Sequence, residues 1–246
     1  MVIFDDLTAE QDRLESVLDG LDEAQWMSPS AAAGWTVTDT VLHLAQSEEA
    51  VLGTIAGAGP LPRSGPGPAV DAAMERLVQA ERSAPPVVFR RWKDARRAAV
   101  AALREADPAQ HLEWADWPLR PATLATTRLA EHWAHALDIT GPLGVAYPDG
   151  PRLKHVAWLA HRTLPYAFGL VGEPPPPVFC QLTAPGGTES WQFGPPDAES
   201  VITGPAGAFC RVAAQRIAPA DATQHGLQAS GPHAAAALGV LRTYAS

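Results

Sequence analysis

Residues 128–139 read Arg128-Leu129-Ala130-Glu131-His132-Trp133-Ala134-His135-Ala136-Leu137-Asp138-Ile139. At 3.6 residues per turn the segment separates into two faces. Leu129, Trp133, Ala136 and Leu137 fall on an apolar face, and Thr127, Glu131, His135 and Asp138 on the opposite one. Glu131 and His135 lie one turn apart, so their side chains can close on one ion. A carboxylate with an imidazole is part of a divalent-metal site, which in its catalytic form takes three protein ligands and keeps one position open. A solvated helix face has the same pattern. The pair alone does not choose between the two.

A third donor is available in Gly34-Trp35-Thr36-Val37-Thr38-Asp39-Thr40-Val41-Leu42-His43-Leu44. Thr36 followed by Asp39 reads as a capping-box start, which places His43 about two turns into a helix. Val37, Val41, Leu44, Val51 and Ile55 form the core stripe of that helix. His43 lies off the stripe, as a ligand or as a plain surface histidine.

The run GWTVTDTVLHLAQSEE, followed later by RLAEHWAHALDI, resembles the DinB/YfiT-like metalloprotein superfamily. Within it the match is to the actinobacterial branch related to mycothiol-dependent maleylpyruvate isomerase, and the GPAGAFC segment at 204–210 extends the likeness. The resemblance implies an α+β protein: a DinB-like four-helix bundle over residues 1–145, then a smaller α+β, SCP2-like domain over 152–246. It also implies a divalent metal on His43, Glu131 and His135, and mycothiol as a thiol cosubstrate.

Composition narrows the field. A chain of 246 residues that is 46% hydrophobic can build one large or two small cores. The formal charge of −9 disfavours binding to a phosphate backbone, so no nucleic-acid partner is expected. No apolar run is long enough to span a membrane, and MVIFDDLTAEQDRLE does not read as a signal peptide. The two cysteines, Cys180 and Cys210, fit buried free thiols in a reducing cytoplasm, with a catalytic thiol or a disulfide as the alternatives. Lysine occurs only at Lys93 and Lys154, and with abundant alanine and proline this points to a high-GC bacterial genome.

Helices are expected over residues 3–20, from about 36 to 57, 70–82, 87–105 and around 128–139, with Gly141-Pro142-Leu143-Gly144 as the stop. The Gly- and Pro-dense stretch 57–68 reads as a mobile loop, either a connector or a lid. Arg90-Arg91-Trp92-Lys93 reads as a basic face, toward water or an anionic substrate. Trp114 and Trp117 either wall the site or plug the end of the bundle. Tyr147–Pro151 reads as a linker. Beyond it are expected a helix over 153–170, strands over 178–183, 190–193, 201–203 and 227–229, a helix from Pro205 at its first position to Arg216, and a last helix ending near Tyr244.

Two imidazoles and a carboxylate suit Zn2+ best, with Ni2+, Fe2+ or Mn2+ also acceptable. Glu131 and Asp138 are the candidate catalytic carboxylates, Asp138 by orienting a ligand imidazole or a bound group, unless it is a plain surface acid. Arg162 and Arg216 are candidates for anchoring a substrate carboxylate, or else structural ion-pair partners. A cleft between bundle and second domain is the expected place for a bulky thiol. Three functions remain in play: metal-dependent S-transfer or isomerisation with a small molecule and mycothiol, a metal-dependent hydrolase, and a non-catalytic metal-binding or scaffold protein. A monomer and a homodimer are both compatible.

Overall fold

The computed structural model describes residues 3–58, 68–114 and 117–243. The chain divides into two compact units, the first ending at Tyr147 and the second beginning at Pro148. The loop expected over 57–68 lies mostly outside the described residues. The last helix ends at Val240, short of the expected Tyr244, because Leu241 leaves the helical region at ψ 130°.

The first unit is built on four long helices, α1 (Ile3–Asp19), α3 (Val37–Ile55), α5 (Pro85–Glu105) and α6 (Pro121–Leu143), with short α2 (Glu23–Met27) and α4 (Pro68–Glu81). Helix α1 packs on α5 and α6, and α3 packs on the same two. The bundle buries Leu7, Leu14, Val41, Leu44, Trp92, Leu103, Leu129 and Trp133. Each buried Leu or Val contributes roughly 1.5–3 kcal/mol relative to an exposed one.

Helix α3 starts where its sequence dictates. Thr36 caps the Asp39 N–H while the Asp39 side chain returns to the Thr36 backbone, a reciprocal capping box. The helix is not one-sided, however. From Val37 to Glu48 every residue is buried, because α2, α4, α5 and α6 surround it. A stripe argument therefore understates its burial, and His43 is 7% exposed rather than on the surface.

Helix α6 begins about two turns earlier than the periodic segment suggests, with Pro121 at its first position, where a missing N–H costs nothing. At the other end Pro142 sits inside the last turn and does not stop it. Pro142 cannot donate to the Asp138 carbonyl four residues back. That carbonyl instead accepts the Ala31 N–H at 2.8 Å. The stop is Gly144, in the left-handed conformation at φ 65°.

The second unit carries a four-stranded sheet of β1 (Val178–Thr183), β2 (Ser190–Phe193), β3 (Ser200–Pro205) and β4 (Gln228–Ser230), in the order β2-β1-β3-β4. The β1–β3 pair is parallel and the outer pairs antiparallel. The helix expected over 153–170 is two helices, α7 (Leu153–Arg162) and α8 (Leu164–Leu170). Pro165 withholds an N–H at the junction, and the Thr163 hydroxyl bonds back to the Leu159 and Ala160 carbonyls. Helix α9 (Ala206–Ala213) ends before Arg216, because Gln215 turns left-handed at φ 60°. Pro205 is its cap residue, one place earlier than expected. A 3-10 turn at Pro219–His225 and α10 (Ala234–Val240) complete the unit.

Candidate metal centre

The three donors picked out from the sequence lie together in the first unit. His43 on α3 and Glu131 and His135 on α6 each offer a ligand atom, all within 4.8 Å of one another. Both imidazoles converge on one oxygen. His43 Nε2 is 2.9 Å from Glu131 Oε1, and His135 Nε2 is 3.5 Å from the same atom. The rings meet edge-on, with centroids 5.0 Å apart.

The position of each group has a local cause. Asp138, one turn beyond His135, places Oδ2 2.9 Å from His135 Nδ1. A carboxylate can only accept, so Nδ1 carries a proton toward Asp138 and, in the metal-free site, Nε2 carries one toward Glu131. An ion would take the Nε2 position while Asp138 keeps the Nδ1 proton. Of the three roles left open for Asp138, the buried contact favours orienting the imidazole. His43 has no such anchor, since its Nδ1 is buried with no hydrogen-bond partner among the described residues. Its ring is set by packing against Trp35, with centroids 5.0 Å apart. Trp35 also stacks on His135 and donates its indole N–H to Glu75 of α4.

Electrostatics separate the three donors. Burial opposes the charge on Glu131, but hydrogen bonds from His135 and His43 and the nearby Arg128 outweigh it and hold its carboxyl well below the ordinary range. Burial also disfavours protonated His135, yet its bonds to Asp138 and Glu131 win and raise its pKa. For His43 burial prevails and the pKa falls.

The set fits a divalent ion. Tetrahedral donors at zinc bond lengths are about 3.3 Å apart, close to the separations seen here. Two neutral imidazoles and an ionised carboxylate are the donor types such an ion takes from protein.

Residues that periodicity did not reveal sit immediately beside these donors. Arg128 and Glu48 are both buried, with Nε 2.9 Å from Oε1. His132 is fully buried, its Nε2 accepting from the Trp92 indole at 3.1 Å and its Nδ1 on the Arg128 carbonyl at 2.8 Å. Burial and the Arg128 charge lower its pKa to about 3, so it is a neutral core histidine. Sequence could have flagged Arg128 and Glu48 only as charges flanking the motif, since nothing in their spacing shows that they meet.

The remaining candidates stand as follows. Trp114 faces Arg128, the guanidinium 5.7 Å from its ring centroid, while Trp117 is 62% exposed. Arg91 of the basic cluster is tied to Glu49 and Glu81 and Lys93 lies over Phe89, which accounts for those two charges structurally. Arg162 and Arg216 belong to the second unit. Arg162 is exposed at the end of α7, and Arg216 bonds the Ala214 carbonyl. The ion pair formed there is one the sequence did not suggest, Arg211 with Asp149 at 2.8 Å through both nitrogens.

Residues 7–140 match the family model described as the mycothiol maleylpyruvate isomerase N-terminal domain. The chain belongs to this family. The resemblance read from the two motifs is thus borne out, and the family carries the name of an enzyme. Relatives in two strains of Mycobacterium tuberculosis, the uncharacterized proteins MT0041 and Rv0036c, are each 34% identical over 221 residues, spanning 87% of this chain and 84% of theirs. Crystal structures of the mycothiol-dependent maleylpyruvate isomerase, one of them a histidine-to-alanine mutant, superpose with a TM-score of 0.60. They cover 94% of this chain and 97% of their own at 16% identity. That likeness confirms the α+β fold. Among the described residues no helix is long and apolar enough to cross a membrane.

Proposed function

We propose that this protein is a divalent-metal enzyme that uses mycothiol as a cosubstrate in S-transfer to, or thiol-assisted isomerisation of, a small molecule. The observation that carries the reading is the convergence of His43, Glu131 and His135 within 4.8 Å on two helices. Family membership supplies the choice of thiol.

His43, Glu131 and His135 would hold the ion, with Zn2+ the best match to the donor set. A bound divalent ion makes a coordinated thiol acidic enough to be a thiolate near neutral pH. The chain's own residues prepare for this. Glu131 stays ionised, Asp138 keeps the His135 proton on Nδ1, and Trp35 covers one side of both rings. The nucleophile is not a protein thiol. Cys180 and Cys210 are free and buried, with the Cys180 pKa pushed up to about 12 and that of Cys210 also raised. Arg162 and Arg216 remain the proposed anchors for a substrate carboxylate.

The experiment is elemental analysis of protein purified without an affinity tag, followed by a screen for thiol adducts with and without mycothiol. One equivalent of a divalent metal and mycothiol-dependent turnover are expected. Turnover that ignores the thiol would assign the site to water activation and hydrolysis. Protein that carries no metal and takes up none would sink the reading.

A further inference from the structure

Helices α3 and α6 supply all three donors, so the donor separation depends on how one helix is registered against the other. Besides the His43–Glu131 contact, a second link joins them. Glu48, five residues beyond His43 on α3, meets Arg128, three residues before Glu131 on α6. Neither residue is more than 3% exposed. The pairing is through one atom of each. Arg128 Nη2 and Glu48 Oε2 are buried without a hydrogen-bond partner among the described residues.

Stability does not account for such a pair. Taking two charges out of water costs more than an imperfect contact returns, and apolar replacements of similar volume are commonly neutral or stabilising. An apolar seam, however, can slide. A buried ion pair cannot, because any shift leaves two uncompensated charges in the core. Metal sites need their ligands held to about half an ångström. His132, neutral and bonded through Nδ1 to the Arg128 carbonyl, packs beside Glu48 without a hydrogen bond to it.

We propose that Glu48 and Arg128 are positioning residues, a buried clamp that sets the register of α3 against α6 and so holds His43 at the spacing from Glu131 and His135 that a divalent ion requires. This rests on the metal reading above for its purpose, though the clamp itself is a statement about donor geometry.

The test replaces both charges at once, Glu48→Leu with Arg128→Met, so that neither partner is stranded. The double variant is expected to melt at or above the wild-type temperature. Its Co2+ affinity, from competition with a chromogenic chelator, is expected to fall tenfold to a hundredfold, a size typical of losing a residue that orients ligands. The visible absorption of bound Co2+ is expected to change shape. Arg128→Lys, which keeps the charge, is expected to recover most of the affinity. A crystal structure of the metal-free double variant is expected to show His43 Nε2 and Glu131 Oε1 beyond hydrogen-bond distance. A double variant that keeps wild-type affinity and the 2.9 Å contact overturns the clamp. So does one that fails to fold, since the pair would then serve stability. If the wild-type protein takes up no Co2+, the metal reading fails, and the metal-free crystal structure alone decides the clamp.

Discussion

Asp138 holds the His135 ring by its Nδ1 at 2.9 Å, and the carboxylate is itself buried. One turn of helix thus joins a proposed metal donor to the group that orients its ring. Asp138→Asn can present its amide in either sense and no longer enforces Nδ1–H. The variant is expected to remain folded and to bind Zn2+ ten- to a hundredfold more weakly in a chelator competition. Wild-type affinity would remove Asp138 from the site.

His43→Ala and His135→Ala are each expected to abolish metal retention in elemental analysis. Neither ring fills the centre of the bundle, which is occupied by Trp92, Leu129 and Trp133, so the far-ultraviolet circular dichroism should persist. Glu131→Gln is expected to lower thiol-dependent turnover by about a hundredfold or more, the scale of a lost transition-state interaction. A variant with unchanged metal content would show that its residue is no ligand.

The pH dependence of stability has a clear sign at His132. Its folded pKa of about 3 lies below the ordinary 6.5, so between these values the unfolded chain binds the proton that the folded chain refuses. Stability is therefore expected to decline as pH falls from about 6.5, levelling only near 3, by a few kcal/mol at most. Urea titrations of metal-free protein at pH 7 and pH 5 measure this, and His132→Asn is expected to flatten the slope. A wild-type curve independent of pH would contradict the neutral core histidine.

His135 titrates in the opposite sense. Its folded pKa is raised, so the extra stability of the protonated ring between Asp138 and Glu131 is complete below 6.5 and is lost as pH rises through the folded value. Zn2+ competes with the bridging proton only at Nε2, and metal uptake at neutral pH is expected to release protons, measurable in two buffers of different ionisation enthalpy. Uptake with no proton release would place the ion elsewhere.

Cys180 and Cys210 are expected to resist iodoacetamide in the native protein and to react once it is unfolded, because both thiols are buried with raised pKa values. Alanine at both positions is expected to leave mycothiol-dependent turnover near the wild-type rate. An essential cysteine would move the nucleophile from cosubstrate to protein.

Much of this arrangement was legible in the residues. Local rules placed β1 and β2 at their observed bounds and the start of α3 at its capping box, since turn and cap chemistry act within a few residues. The Glu131–His135 spacing followed from helical geometry alone. What escaped depended on the surroundings. Helix α3 is enclosed by neighbours that its own periodicity cannot report, so the pattern left His43 open between a ligand and a surface histidine. The Glu48–Arg128 and Asp149–Arg211 pairs join segments far apart in the chain, and no local pattern announces them. The stop at 141–144 was legible too, and Pro142 is carried inside the last turn because the carbonyl it frees finds another donor.

That freed carbonyl also bears on how the protein folds. With no N–H from Pro142, the Asp138 carbonyl is satisfied by Ala31, at the base of the loop that presents Trp35 and leads into α3. An unpaired buried carbonyl costs roughly 1–3 kcal/mol, so the end of α6 gains its full stability only when this loop docks. The loop in turn fixes where α3 begins. Formation of the site is thereby coupled: ordering of His135 with its orienting Asp138 on one side favours ordering of Trp35 and His43 on the other.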